Sequence, residues 1–209
     1  MKALITGASS GIGLDMARYL ASKKYELILV GRNKEKLEQV QETLPTKVTI
    51  IVADLANIQK VKELYVLTAK ENIDILVNNA GFGDFGYFTE TDLSKELSMI
   101  DTNVKAVHIL TKSFLKDMEK KNSGYILNVA SSAAFQPGPL MATYYATKSY
   151  VYQLTEALYV AKYAIDEMFK NKMLIIPGFK MKCAKFFSRF VSDQFLLRIT
   201  YRIQKKKVN

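Results

Sequence analysis

The sequence is poor in two residue types that often carry chemistry. Of its 209 residues, only Cys183 is a cysteine and only His108 is a histidine. A single cysteine excludes a disulfide within the chain and fits a reducing compartment. The same scarcity argues against histidine or thiolate metal sites, so we expect no bound metal. His108 lies in the helical stretch Val104–Leu110, where packing is expected rather than catalysis. Acid–base chemistry must therefore fall to other side chains.

Long apolar runs, low-complexity segments and a leader sequence are also missing. No apolar run reaches the ~18 to 20 residues that a membrane-spanning helix requires. Met1-Lys2 leads directly into the first predicted strand, without a signal peptide. Hydrophobic residues make up 49% of the chain, and its length suits one α/β domain. We therefore expect a globular, cytoplasmic protein.

Acidic residues are scarce near the C-terminus, and this accounts for most of the net charge of +10. Residues 180–209 contain nine basic side chains and one acidic side chain, a net charge of +8, which leaves +2 for the rest. We predict two parts on this basis: a catalytic domain over residues 1–178 and a basic amphipathic tail over residues 179–209.

Strand and helix patterns alternate along the chain, as a parallel sheet requires. Right-handed crossovers would place helices on both faces of this sheet, so the predicted fold class is α/β, a Rossmann-type doubly wound parallel sheet. The predicted strands are Lys2–Thr6, Glu26–Val30, Val48–Val52, Ile73–Val77 and Tyr125–Val129. The predicted helices are Gly11–Ser22, Lys34–Thr43, Ile58–Glu71, Leu93–Lys120 and Tyr144–Met168.

A glycine-rich turn, Thr6–Gly13, follows the first predicted strand. Gly7 permits the sharp turn, Gly11 lets the chain approach a pyrophosphate, and Gly13 allows the next helix to pack close to the strand. That helix would direct its N-terminal N–H groups towards the phosphates. The spacing Gly-x-x-x-Gly-x-Gly also occurs in a turn without a ligand, so the segment alone does not decide the function.

Three further segments follow predicted strands, where ligands bind in open α/β sheets. Gly31-Arg32 lacks the acid that usually binds the ribose of NAD, and Arg32 can pair with a 2′-phosphate; this favours NADP, unless Arg32 is only a solvated charge. Asp54-Leu55 can receive the adenine through the Asp54 side chain. Asn78–Gly81 forms a compact turn of small and amide-bearing residues.

A possible catalytic group lies further along the chain. Tyr144 opens a predicted helix, and Lys148 lies one turn later on the same face. The Lys148 ammonium would stabilise the Tyr144 phenolate, which makes the phenol an effective acid or base near neutrality. Ser131 can orient a carbonyl or hydroxyl oxygen, and Asn103 could hold a water that links Lys148 to solvent. Tyr145 is the rival base, but no lysine follows it at the same spacing.

Taken together, residues 1 to 160 resemble the short-chain dehydrogenase/reductase family. The resemblance implies NAD(P)(H) as cofactor, a Ser131–Tyr144–Lys148 centre assisted by Asn103, carbonyl or alcohol substrates, and dimers or tetramers. It also implies a cofactor-binding set in this sequence: Gly7, Ser9, Ser10, Gly11, Ile12, Gly13, Arg32, Asp54, Leu55, Asn79, Ala80, Gly81, Tyr144 and Lys148.

The chain departs from this family after Lys148, because only 61 residues remain. Either Met173–Ile176 is a sixth strand that ends in Pro177-Gly178, or a segment is missing near residue 160. In both cases the substrate lid is absent or reduced. Three functions are therefore open: a working oxidoreductase, a dinucleotide-binding protein with little turnover, and a membrane-surface scaffold.

The tail can be interpreted in two ways. Apolar residues recur between Phe179 and Lys207 at helical spacing, with basic residues between them. This stripe either packs on the domain or a partner subunit, or lies on an anionic membrane surface. No recognised nucleic-acid-binding module accompanies the charge, so nucleic acid is not expected as a partner.

Overall fold

The computed structural model describes residues 1–166 and, beyond them, only Ser192, Leu197, Arg198 and Tyr201. The described chain forms two compact units. The first consists of Met1–Phe82 and Ser98–Val129, and the second of Gly83–Leu97 and residues 130–166. The predicted boundary at residue 178 and all but these four residues of the predicted tail lie outside the described residues, as do both interpretations of residues 172–178.

The first unit is built on a parallel sheet of five strands, ordered β3-β2-β1-β4-β5. Because the strand order reverses after β3, the carboxyl ends of β1 and β4 lie side by side, which is where doubly wound sheets bind ligands. The strands are β1 (Lys2–Thr6), β2 (Glu26–Gly31), β3 (Val48–Val52), β4 (Ile75–Asn78) and β5 (Tyr125–Asn128). The helices that follow them are α1 (Gly11–Ser22), α2 (Lys34–Thr43), α3 (Ile58–Thr68), α4 (Leu93–Ile100) and α5 (Val107–Lys120).

Strands β1 and β2 are buried on both faces, which explains their continuous apolar runs. Successive strand residues point to opposite faces, so Leu4 and Ile28 join a core cluster with residues of α3 and α5. Ile5 and Leu29 join a second cluster with residues of α1 and α2. The predicted doubly wound α/β fold is confirmed.

The predicted helix Leu93–Lys120 is not one continuous α-helix. Between α4 and α5, Asp101–Ala106 forms a π-helical segment. A π-helical turn is wider than an α-helical turn, and such segments are frequent at functional sites. Asn103 lies in this segment and is fully buried.

The second unit contains a 3₁₀ turn, Ser132–Phe135, and a long helix, α6 (Ala142–Asp166). Helix α6 begins two residues before the predicted start at Tyr144, and the predicted end at Met168 lies outside the described residues. The predicted bounds of β1, α1, α2 and β3 match the structure, and the remaining strands and α3 differ by one to three residues. Helix α3 ends at Thr68 rather than Glu71, and β4 begins at Ile75 rather than Ile73. Within the described part of the chain, no helix meets the length and apolarity needed to span a membrane.

Candidate cofactor and proton-transfer sites

The turn after β1 has the backbone that the glycine pattern predicts. Gly7 and Gly11 have φ angles of +65° and +54°, in the left-handed region that favours glycine. A Cβ added at Gly13 would lie 2.4 Å from both the Gly7 carbonyl oxygen and Asn79 Nδ2. At Gly11, by contrast, no described atom lies within 4 Å of an added Cβ. The turn is therefore tightly packed at Gly13, whereas the space beside Gly11 is open.

The N-terminus of α1 differs from those of α2 and α3. Asn33 and Asn57 cap α2 and α3 by accepting hydrogen bonds from first-turn backbone N–H groups. Ser10 is extended at the start of α1, and its side chain makes no capping hydrogen bond. The first turn of α1 also carries no acidic side chain. Its N–H groups and positive dipole end are thus available to an anion, as binding of a dinucleotide pyrophosphate requires.

Thr6 holds the ends of β1 and β4 together, a role that the sequence prediction did not assign to it. Its buried Oγ1 donates to the Val77 carbonyl at 3.3 Å and accepts from the backbone N–H groups of Asn79 and Ala80, both at 3.0 Å. Asn79 Nδ2 in turn donates to the Thr6 and Gly7 carbonyls at 3.0 and 3.1 Å. Asn79 and Ala80 therefore lie against the glycine-rich turn, as the predicted cofactor set requires; Gly81 follows and is exposed.

Asn78, at the end of β4, is buried and structural. Its Nδ2 donates to Thr111 Oγ1 at 3.0 Å and to Asn128 Oδ1 at 2.8 Å. These bonds join β4 to α5 and β5, and they hold in place the end of β4 from which the Asn79–Gly81 turn begins.

The residues predicted to contact the adenosine part of a cofactor differ in how exposed they are. Arg32 is exposed at the end of β2. The Asp54 side chain is also exposed, and its Oδ1 accepts from Ala56 N at 3.1 Å. Leu55, in contrast, is 6% exposed and belongs to the core cluster with Leu4. Its side chain is therefore committed to the core, and only its backbone remains for a ligand.

Asn103 fixes the loop that follows the Asn79–Gly81 turn. Its Oδ1 accepts from Phe82 N at 3.1 Å, and its Nδ2 donates to the Phe82 carbonyl at 2.8 Å. This bidentate contact uses the amide as a clamp on the backbone. The predicted water-holding role of Asn103 stays a prediction.

In the second unit, Ser131 caps the 3₁₀ turn. Its Oγ accepts from Ala133 N at 3.2 Å, which leaves its hydroxyl proton for another acceptor. The turn is held against α6 by Ser149 Oγ, which donates to the Ala134 carbonyl at 3.2 Å, and by an edge-to-face contact of Phe135 with Tyr152. Ser131 is therefore fixed relative to α6, the helix that carries Tyr144.

Tyr144 and Lys148 lie one turn apart on α6, and Lys148 Nζ is 6.0 Å from the centroid of the Tyr144 ring. Lys148 is 6% exposed, and this burial lowers its pKa to about 8. Tyr145 has a different setting: its ring lies over Gly138, where an added Cβ would come within 2.3 Å. The structure thus places the buried ammonium near the Tyr144 ring. His108 lies on α5.

Comparisons with known proteins place the chain in a class. The family model described as short chain dehydrogenase matches residues 1–165. An uncharacterized oxidoreductase of Staphylococcus epidermidis is 33% identical over 158 residues, covering 75% of this chain and 69% of that protein.

Solved structures agree with this assignment. The bulky-bulky ketone specific alcohol dehydrogenase of Comamonas testosteroni has a TM-score of 0.73 and 30% identity, covering 77% of this chain and 66% of that one. A short-chain dehydrogenase of Sphingobium yanoikuyae in complex with NADPH has a TM-score of 0.72 and 30% identity, covering 77% and 64%. This chain thus spans about two thirds of the length of these proteins.

The family match and the structural neighbours identify a NAD(P)-dependent oxidoreductase. The chain belongs to the short-chain dehydrogenase/reductase family, whose members use NAD(P) and act on small molecules.

Proposed function

We propose that this protein transfers a hydride between NADP(H) and a carbonyl or secondary alcohol, with Tyr144 as the acid/base. The observation that carries the proposal is the pairing of Tyr144 with a buried lysine one helical turn away. A buried ammonium next to a phenol stabilises the phenolate, and desolvation strengthens that interaction. A purely structural helix would not need to bury a charged side chain at this position.

In the direction of reduction, the reduced nicotinamide supplies the hydride when it is bound. The Tyr144 hydroxyl then gives its proton to the carbonyl oxygen of the substrate, and the Lys148 ammonium stabilises the phenolate that remains. Ser131 Oγ donates a hydrogen bond to the same substrate oxygen and orients it. Because its pKa is near 8, Lys148 can also exchange a proton close to neutral pH and so restore the phenol.

NADP rather than NAD is proposed because Arg32, at the end of β2, is available to a 2′-phosphate. Arg32 is exposed and follows Gly31, so no acidic residue stands where an acid would bind the ribose of NAD. The relative from Sphingobium yanoikuyae was solved with NADPH, which supports this choice. The ketone-specific relative from Comamonas testosteroni supports a carbonyl substrate.

The proposal is tested by comparing Tyr144→Phe with Tyr145→Phe in a carbonyl-reductase screen and an NADPH titration. Tyr144→Phe removes one hydroxyl, so we expect unchanged NADPH binding and a loss of turnover of about 10²- to 10⁴-fold. Tyr145→Phe should retain most activity. A wild-type protein that binds NADPH without turnover would instead support a dinucleotide-binding protein that lacks catalytic function.

Two further proposals concern how the chain assembles. Family members are commonly oligomeric, and we propose a dimer or tetramer, which sedimentation measurements would identify. We also propose that residues 179–207, most of which lie outside the described part of the structure, contact an anionic membrane surface. Vesicles with phosphatidylserine should then sediment the full chain but not a chain that ends at Gly178, and added salt should abolish the difference.

A further inference from the structure

We infer that Gly83 positions the Tyr144 phenol: the absence of a side chain at residue 83 lets the Tyr144 ring lie directly against the backbone of the loop that precedes α4. This inference rests on the proposed role of Tyr144 as acid/base. It adds a positioning residue that itself has no group able to take part in the reaction.

The contact is defined by the space around Gly83. A Cβ added there would lie 3.0 Å from Tyr144 Cδ2 and 3.2 Å from Tyr144 Cγ. These distances are shorter than ordinary contacts to a Cβ, which begin near 3.4 Å. The third neighbour, Met141 Cε, lies at 3.2 Å but ends a flexible side chain. Methionine can move aside, whereas an aromatic ring at the start of a helix has far less freedom.

The loop cannot simply retreat from a new side chain, because it is held on two sides. Gly86 N donates to the Leu140 carbonyl at 2.9 Å, which ties the loop to the turn before α6. Asp84 Oδ1 accepts from Lys95 Nζ at 2.6 Å, which ties it to α4. The Lys95 ammonium also lowers the pKa of Asp84, chiefly through this hydrogen bond, so the Asp84 carboxylate stays ionised at neutral pH.

Leu140, the partner of Gly86, is itself in an unusual conformation. It is 7% exposed and has a φ of +68°, in a region that costs a residue with a Cβ about 1 to 2 kcal/mol. Such a conformation persists only where the surrounding structure fixes it. The turn before α6 and the loop at Gly83 thus constrain each other, and the loop lies against the Tyr144 ring.

A side chain at residue 83 should therefore displace the ring of Tyr144 rather than the loop. A catalytic acid must lie within hydrogen-bond reach of the atom that it protonates, and a displacement of ~1 Å can cost about 100-fold in rate. A displacement of a few tenths of an ångström, as Gly83→Ala requires, should lower kcat by about tenfold, and Gly83→Val by about 100-fold.

The experiment compares Gly83→Ala and Gly83→Val with Gly86→Ala as the matched control. Gly86 lies in the same loop, and its added Cβ meets only the methyl Cγ2 of Thr91, at 3.0 Å. The change keeps the Gly86 N–H and its bond to Leu140. Each variant is measured for kcat and KM with the best ketone from the screen, for the Kd of NADPH, for the primary isotope effect with deuterated NADPH, and for Tm.

The expected result is a graded fall in kcat from Gly83→Ala to Gly83→Val, with KM, the NADPH Kd and Tm close to those of Gly86→Ala. The isotope effect should rise, because the chemical step becomes slower. In a Met141→Ala background the loss caused by Gly83→Ala should persist, since the ring and not Met141 is displaced.

Three results would overturn the inference. The first is a rise in KM with unchanged kcat, which would mean that the new side chain meets the substrate. The second is an equal loss in Gly86→Ala, and the third is a Tm that falls well below that of Gly86→Ala. If Tyr144→Phe retained full activity, the proposed function itself would fail; if Tyr144→Phe is inactive and Gly83→Ala is unaffected, only the inference about Gly83 fails.

Discussion

The two units of this protein hold their functional groups in different ways. In Met1–Phe82 with Ser98–Val129, the candidate site is mostly backbone: glycines in special conformations, uncapped N–H groups of α1, and the Thr6 and Asn79 hydrogen bonds that fix them. In Gly83–Leu97 with residues 130–166, the proposed site consists of the side chains of Ser131, Tyr144 and Lys148.

This difference has an energetic consequence. The backbone site of the first unit is built from satisfied hydrogen bonds and close packing, so its geometry and its stability depend on the same contacts. The second unit buries the Lys148 ammonium, which costs stability, and holds Leu140 in a left-handed conformation. Mutations in the first unit should therefore reduce stability and function together. In the second unit a mutation can reduce function without reducing stability.

The largest expected effect is at Lys148, where Lys148→Met should abolish turnover and also stabilise the protein. The pKa of Lys148 is lowered from 10.5 to about 8. At about 1.4 kcal/mol for each pH unit between the two values, the buried charge costs about 3 kcal/mol. Methionine has a similar length and no charge, so urea unfolding at pH 7 should show a gain of that order.

The pH dependence of this gain follows from the direction of the pKa change. Below about pH 8 both the folded and the unfolded state carry the charge, and the folded state bears the full cost. Between about pH 8 and 10.5 the unfolded chain still binds a proton that the folded state has lost, so wild-type stability rises with pH. The advantage of Lys148→Met should shrink over this interval. Lys112→Met, which removes an exposed lysine of α5, is the control for the loss of a surface charge. A Lys148→Met variant that is destabilised at pH 7 would contradict the comparison.

In the first unit, Gly13→Ala should instead destabilise the fold and weaken cofactor binding together. The new Cβ would lie 2.4 Å from the Gly7 carbonyl oxygen, so α1 or the glycine-rich turn must move. Overpacking of this kind costs about 1 to 3 kcal/mol, and contact with backbone rather than a flexible side chain places it at the upper end. Urea unfolding and an NADPH titration would measure both losses.

Gly31→Ala provides the matched control for this variant. Gly31 lies at the end of β2, and an added Cβ would be 3.5 Å from the nearest atom, Leu37 Cδ2, an ordinary contact. Its unfolding free energy should stay within about 0.5 kcal/mol of the wild-type value. If Gly13→Ala lost NADPH binding at unchanged stability, the two properties would not depend on the same contacts in the first unit.

The features that the sequence predicts well are those with a local cause. The apolar runs of β1 and β2, the glycines at residues 7 and 11, and the Tyr144–Lys148 spacing each depend on near neighbours in the chain, and all are found as expected. The family itself was also predicted correctly, because several such motifs occur in one order.

The features that were missed depend on distant contacts. Thr6 and Asn79 are adjacent only because β1 and β4 pair in the sheet. The π segment around Asn103 lies between two α-helices, and the sequence prediction treated the whole stretch as one helix. The burial of Lys148 and the contact of Gly83 with the Tyr144 ring likewise arise from tertiary packing. No composition or spacing rule indicates them.

The smallest expected effect concerns Arg32, an exposed side chain of the first unit that we propose contacts the cofactor. Because Arg32 is exposed, its hydrogen bonds to a 2′-phosphate compete with water, and the lower end of the range for charged hydrogen bonds, about 1.5 kcal/mol, applies. Arg32→Ala should therefore weaken NADPH binding by about tenfold and leave NADH binding and Tm unchanged. Lys34→Ala removes a nearby exposed charge that pairs with Glu38 at 3.5 Å, and it should affect neither cofactor by more than twofold, about 0.4 kcal/mol. Equal losses for NADPH and NADH in Arg32→Ala would show that Arg32 supports the fold of the turn and does not recognise the 2′-phosphate.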